Sequence, residues 1–170
     1  MTRREHFLFE CNAVQLAGTI DHGAEPCGLL IVTGGNEVRS GPWGSQAKLA
    51  ERIAASGFPV MRFDRRGVGD SEGENAGFTG SANDIEAALI AFRNKAPALR
   101  RIVAFGNCDA ASALMLAGGK GCNSLVLANP WTFEPQPETA PDITESNPSE
   151  EPARPMPPSA IRAHYLRRLT

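Results

Sequence analysis

The feature that most constrains this chain is a repeated alternation. Short β-type apolar runs close on glycine-bearing turns, and each is followed by a segment with helical periodicity. Gly28-Leu29-Leu30-Ile31-Val32-Thr33 is a continuous apolar run ending in Gly34-Gly35-Asn36, as expected of a strand buried on both faces. Leu49, Ile53 and the alanines around them then recur at helical spacing over residues 45–56, and Gly57 stops the helix. Residues 59–63 form the next strand. A helix is predicted over Ala82–Lys95, with Ser81 or Asn83 as cap, Ile85, Ala88, Leu89 and Phe92 on one face, and Pro97 just past its end. Residues 101–105 read as a strand, 108–116 as a small-residue helix, and Ser124–Ala128 as a further strand. Ahead of all these, residues 7–10 and 14–20 alternate around the turn residue Asn12 and predict an antiparallel hairpin. The fold class is α/β: a mostly parallel sheet with helices on both faces and an antiparallel N-terminal hairpin.

Composition narrows the function classes. The formal net charge is −2 and the charges are mixed along the chain, so no basic footprint argues for nucleic acid as a partner. Arg3 and Arg4 are not followed by a long apolar run, which excludes a secretory-signal reading. Nowhere do about 18 uninterrupted apolar residues occur, so no membrane span is expected and the chain reads as a soluble, cytoplasmic protein. Cys11, Cys27, Cys108 and Cys122 form no C-x-x-C pair, and His6, His22 and His164 stand far from them in sequence. No metal site and no cofactor are expected. Three of the thiols read as reduced, small buried hydrophobes. Cys108 is set apart by its context.

The chain divides into a core over residues 1–133, a linker rich in proline and acids over 134–158, and a terminal segment over 159–170. The linker has too little apolar surface to offset its ordering entropy and is expected to lack regular structure. Ile161, Tyr165, Leu166 and Leu169 give the last segment the spacing of a short amphipathic helix, too short to be stable alone.

Phe105-Gly106-Asn107-Cys108-Asp109-Ala110 leaves a strand and opens a helix. This is where a G-x-S-x-G nucleophile elbow would lie, with cysteine for serine and alanine for the last glycine. Small neighbours suit a nucleophile on a sharp turn, and the helix N-terminus favours a thiolate there. The bland alternative is a small residue buried under a helix. Thr33-Gly34-Gly35-Asn36 adds weight, because it follows the first parallel strand where one oxyanion-hole amide would be supplied. That amide is assigned to Gly35 and the other to Asp109, the residue after the nucleophile. A tight turn would also want glycine, so Gly34-Gly35 gains its functional sense from the elbow.

The stretch Asp64-Arg65-Arg66-Gly67-Val68-Gly69-Asp70-Ser71 contains the G-x-G-x-x-G spacing up to Gly73. No helix opens directly after it, and Asp64, Asp70 and Glu72 would repel a pyrophosphate. It reads as a structural loop near the site, tied down by Asp64 and Arg66.

Residues 58–73, with their D-x-R-G-x-G-x-S pattern, resemble the corresponding stretch of α/β-hydrolases. Together with Gly106-Asn107-Cys108-Asp109-Ala110-Ala111-Ser112 and Leu127-Ala128-Asn129-Pro130-Trp131, the chain resembles the exosortase A system-associated hydrolase 1 group over about residues 5–133. Those proteins accompany exopolysaccharide synthesis and protein-sorting genes in Gram-negative bacteria, and they too carry cysteine at the elbow. The resemblance implies a hydrolase (EC 3 type) or acyl transferase acting on an ester, thioester or amide. Family members continue well beyond this length, and in α/β-hydrolases the catalytic acid and histidine follow the nucleophile. The fold is therefore expected to be incomplete on its C-terminal side, with no catalytic acid or base found. His164, on the terminal segment, is not assigned as the base.

The residues admit two functions. One is a cysteine hydrolase that attacks a small-molecule acyl substrate through Cys108, with Gly35 and Asp109 amides receiving the oxyanion. The other is a truncated, non-catalytic relative acting as a binding or assembly protein, able to form a homo-oligomer through an exposed sheet edge.

Overall fold

A computed structural model describes residues 3–131; the linker and terminal helix expected from the sequence lie outside them. The described elements, in chain order, are β1 (Arg4–Cys11), β2 (Val14–Asp21), β3 (Cys27–Val32), a 3-10 turn (Pro42–Gly44), α1 (Ser45–Ala55), β4 (Val60–Phe63), α2 (Ala82–Lys95), β5 (Arg101–Asn107), α3 (Asp109–Leu116) and β6 (Ser124–Ala128). The strands form one six-stranded sheet in the order β1-β2-β4-β3-β5-β6. β1 pairs antiparallel with β2, and β2 with β4, while β4, β3, β5 and β6 run parallel to one another. The hairpin closes on Asn12 and Ala13, both at positive φ, between the paired Cys11 and Val14. Two such residues match the twist of the flanking strands.

Side chains alternate across the sheet and fill two cores. Leu30, Val32, Met61, Phe63, Ile102 and Ala104 face α2 and α3, where Ile85, Leu89, Phe92, Ala110, Ala113 and Leu114 meet them. Ile31 and Val60 face the other way, against Ala50 of α1, with Leu29, Ile53 and Phe105 at the margin. One helix thus covers one face and two cover the other. The unbroken apolar run of β3 is explained by this, since its alternate residues enter different cores.

Most strand and helix ends differ from the sequence expectation by a residue or two, and β1 extends the expected 7–10 to Arg4–Cys11; three differences at the site have a local reason. β5 runs on to Asn107 because Gly106 still pairs with Val32 and Leu127, and Asn107 with Ala128. α3 starts at Asp109 and not at Cys108, whose φ of 60° lies outside the helical region. Ser81 flanks α2 without a side-chain cap bond, because its hydroxyl accepts from Arg65 Nη1 at 3.1 Å and donates to the Gly77 carbonyl at 2.7 Å. The expected burial of the three remaining thiols holds fully only for Cys11, Cys27 and Cys122 being half-buried.

Phe92, fully buried between α2 and the sheet, is the largest contributor from its helix. Phe92→Ala should cost about 3–5 kcal/mol in urea unfolding. Ile90→Ala, on the exposed face of the same helix, should stay within about 0.5 kcal/mol.

Candidate active site

β3 and β5 are parallel neighbours whose onward connections diverge. The chain leaving β3 crosses by α1 to β4 on one side, and the chain leaving β5 crosses by α3 to β6 on the other. The two helices lie on opposite faces, so a crevice opens at the carboxyl ends of these strands. Gly34 and Gly35 follow one strand and Cys108 follows the other.

Cys108 joins β5 to α3 with φ 60° and ψ −130°, and its side chain is exposed. Such a backbone costs a non-glycine residue on the order of 1–3 kcal/mol and persists only where its surroundings enforce it. Here the Cys108 N–H donates to the Ala128 carbonyl at 3.0 Å, while the Cys108 carbonyl accepts from Ala111 N at 3.1 Å and Trp131 N at 3.3 Å. The strand-to-helix turn is tight enough to dictate its neighbours. A Cβ on Gly106 would lie 2.7 Å from the Ala110 carbonyl, and one on Gly34 would lie 2.8 Å from the Asn107 carbonyl. Beside Cys108 is a cavity of about 190 Å³ lined by Val32, Gly34, Gly35, Glu37, Gln46, Phe105 and Asn107.

The structure brings Cys108, Gly35 and Asp109 together, with a contact that the sequence does not announce. Asp109 is the first residue of α3, so its N–H has no acceptor within the helix. Its carboxylate, however, accepts the Gly35 N–H at 2.6 Å. Arg65 holds the same assembly from behind, donating through Nη2 to the Gly35 carbonyl at 2.5 Å and to Asp109 Oδ2 at 3.2 Å. The Arg65 side chain is 3% exposed, and its other terminal nitrogen, Nη1, is fixed on Ser81, while buried Nε has no acceptor. The amide assigned to an oxyanion is therefore engaged by a carboxylate.

Asp64 and Arg66 go separate ways. Asp64, fully buried, accepts from Arg39 N at 2.5 Å, from the Arg39 guanidinium and from Asp70 N at 3.0 Å, and its carbonyl accepts from Ser71 Oγ at 2.7 Å. It ties the loop after β3 to the loop after β4. Arg66 turns away from the crevice, donating to both carboxylate oxygens of Asp84 on α2 (3.0 Å from N, 2.8 Å from Nε) and to Cys11 Sγ at 3.3 Å. The arginine that reaches the site is Arg65. Its only sequence signal is adjacency to Asp64, and consecutive side chains of an extended segment point in opposite directions.

Neither described histidine is at the site. His6 Nδ1 is 2.8 Å from Thr19 Oγ1, and His22 Nε2 is 3.0 Å from Glu5 Oε2, both on the β1–β2 side of the sheet. His164 lies outside the described residues. The ionisable side chains lining the cavity are Cys108 and Glu37. Among the described residues no cluster of His, Cys, Asp or Glu could hold a metal ion, and no helix is long and apolar enough to cross a membrane.

A mostly parallel sheet of this order, with an elbow after β5 and a glycine turn after β3, is the α/β-hydrolase fold. Solved structures agree. The chain is similar to the α/β hydrolase GrgF from Penicillium sp. sh18 (TM-score 0.65, 20% identity, covering 75% of this chain and 46% of that one). It is similar to the Pyrococcus furiosus esterase Pf2001 (TM-score 0.65, 20% identity, 76% and 50% covered) and to DcsB, solved with its substrate analogue (TM-score 0.64, 18% identity, 75% and 46% covered). The chain spans about half the length of these structures. No protein-family model matches it, and no curated protein matches it in sequence.

Burial pushes the Cys11 thiol up, with Asp84 beside it adding to the effect, and burial likewise pushes Cys122 up. Both stay protonated to higher pH than an ordinary thiol, and alkylation requires the thiolate. Iodoacetamide near neutral pH should therefore modify exposed Cys108 ahead of Cys11 and Cys122, as peptide mass spectrometry over time would record. Faster modification of Cys11 or Cys122 would argue against an accessible nucleophile at the elbow.

Proposed function

We propose that this chain carries the nucleophile of a hydrolase or acyl transferase acting on a small-molecule ester, thioester or amide, with Cys108 as the attacking group. The observation that carries the reading is the strained backbone of Cys108, which holds an exposed thiol at the mouth of the switch-point crevice. Strain of this kind, enforced by a close-packed turn, is a feature of functional sites. In the proposed reaction Sγ, as thiolate, bonds to the acyl carbon while the carbonyl electron pair moves onto oxygen beside the Asp109 N–H. Collapse of that intermediate breaks the bond to the leaving group, which departs with a proton and leaves a thioester on Cys108. Water or another acceptor then attacks the thioester, releasing the acyl group and restoring the thiol.

Neither described histidine stands at Cys108, and a positioned acid or base typically contributes about 10²–10⁴-fold. Activity from the described core alone is accordingly slow and confined to activated acyl donors. By sequence resemblance, the substrate belongs with exopolysaccharide and exosortase systems.

The non-catalytic reading has one observation of its own: the Gly35 amide donates to Asp109 and is not open to an oxyanion. A binding or assembly role would draw on β6, one of the two edge strands within the described residues, which carries exposed Val126 and Leu127, with Met115 and Leu116 exposed on α3. An apolar edge of this kind favours pairing with a second copy.

Acylation by p-nitrophenyl acetate, followed by intact-mass spectrometry and release of p-nitrophenol, separates the readings. Wild-type protein should gain one acetyl group on Cys108, Cys108→Ala should gain none there, and His6→Ala should behave as wild type. Asp109→Ala frees the Gly35 amide and should raise the acylation rate, by up to about 10²-fold if that amide then serves as an oxyanion donor. No acetyl-Cys108 in either wild type or Asp109→Ala would favour the binding role.

A further inference from the structure

On the α1 side of the sheet, three polar side chains lie in register across β1, β2 and β4: His6 opposite Thr19, and Thr19 opposite Arg62. Thr19 and Arg62 are almost fully buried. Above them is a cavity of about 400 Å³, walled by Val38, Arg39 and Ser40, by Ala47 of α1, and by Gly69 and Asp70. It is separate from the cavity at Cys108, and the proposed acyl chemistry does not use it.

The charges at its floor are unequally shared. Asp21 is the one carboxylate for two guanidinium groups, accepting from Arg4 Nε at 2.6 Å and from Arg62 Nη2 at 3.1 Å. Farther along the same cavity the sharing is reversed, with Arg39 held by buried Asp64, which also lines the cavity, and by exposed Asp70 at the rim. The floor therefore has an excess of positive charge, and the negative excess lies toward exposed Asp70. Hydrogen-bond capacity is uneven in the same sense. Both oxygens of Asp21 and of Asp64 are engaged, whereas buried Arg62 Nε has no acceptor and Arg4 Nη1 has none among the described residues. Thr19 Oγ1 accepts from Arg39 Nε at 3.0 Å, so its own proton is available to His6 Nδ1, and that tautomer leaves His6 Nε2–H as another donor.

We propose that this cavity binds a small oxyanion, the phosphate or carboxylate head of a metabolite-sized molecule. Arg4 and His6 hydrogen-bond the head, the Arg62 guanidinium draws it to the floor, and the remainder of the ligand points to the Asp70 rim. Surplus donors over a positively charged, partly dehydrated floor are what an oxyanion completes. Burial pulls the Arg62 guanidinium below its ordinary value, with Asp21 opposing and Arg4 and Arg39 adding repulsion, so an anion at the floor would relieve it. The volume exceeds that of a bare ion and falls within the range of small-molecule pockets.

The test is an NMR titration of 15N-labelled protein with inorganic phosphate, and separately with acetate, at constant ionic strength with chloride as the reference salt. The reporters are the arginine Nε–H signals and the amides of β1, β4 and residues 38–40. Saturable shifts with phosphate or acetate, absent with chloride, are expected, and whichever anion binds more tightly identifies the head group. Arg4→Gln and His6→Ala, each checked for an unchanged unfolding midpoint, should raise Kd about tenfold or more, equivalent to about 1.4 kcal/mol. Cys108→Ala should bind as wild type, so the outcome is independent of the elbow's chemistry. Shifts that follow ionic strength alone, or folded Arg4→Gln and His6→Ala proteins that bind unchanged, would overturn the proposal.

Discussion

The parallel pairing of β3 with β5 is the constraint on which the rest of this structure depends. It places Leu30 beside Ala104 and Val32 beside Gly106, so the two strands end together. Because α1 leaves toward one face and α3 toward the other, the ends of the strands are left uncovered. The glycine turn after β3 and the elbow after β5 are brought within hydrogen-bonding distance by this pairing, and Arg65 secures the Gly35–Asp109 contact across them. Any substitution that shifted the β3–β5 register would separate the candidate nucleophile from its candidate oxyanion group.

A second layer of order comes from buried charge. Arg65 and Asp64 are consecutive and nearly inaccessible, yet they serve different loops. Asp64 gathers the Arg39 backbone and side chain and the Asp70 amide, fixing the loop after β3 onto the loop after β4. Arg65 fixes the Gly35 peptide, Asp109 and Ser81. Removing one member of such a network leaves its partner buried and uncompensated, which is costly even where the intact pair adds little. The crevice is thus held by polar groups underneath it, while the sheet is held by the apolar cores on its two faces. Arg62 and Asp21 extend the same pattern to the far side of the sheet, where the compensation is incomplete and a cavity adjoins it.

The alternation of apolar runs and helical segments gave the α/β class, the hairpin and the order of elements, because strand and helix periods are local properties of a chain. The sharp turn at Cys108 was equally legible, since close packing restricts side-chain size at Gly106, near in sequence, whereas Gly34 is small because Asn107 of the neighbouring strand approaches it and Gly35 supplies a positive φ in open space. Pairing partners of the charges were not legible. Nothing in Asp64-Arg65-Arg66 indicates that the first arginine reaches the crevice and the second reaches Asp84, a choice made by the direction each residue faces once β4 is in the sheet. Ser81 likewise has the composition of a helix cap, but Arg65 claims its hydroxyl.

The sequence by itself determined which segments become strands and helices, where the chain must turn sharply, and that a thiol stands at one of those turns. These follow from backbone propensity and hydrophobic periodicity, which act over a few residues. Only the tertiary structure decided that the Gly35 amide meets the Asp109 carboxylate, that Arg65 supports both, and that Arg4 and Arg62 share Asp21 beneath a cavity. Each of these contacts joins residues far apart in the chain. Their geometry is set by strand order and by the faces to which helices dock, and these are settled by burial of the whole core together.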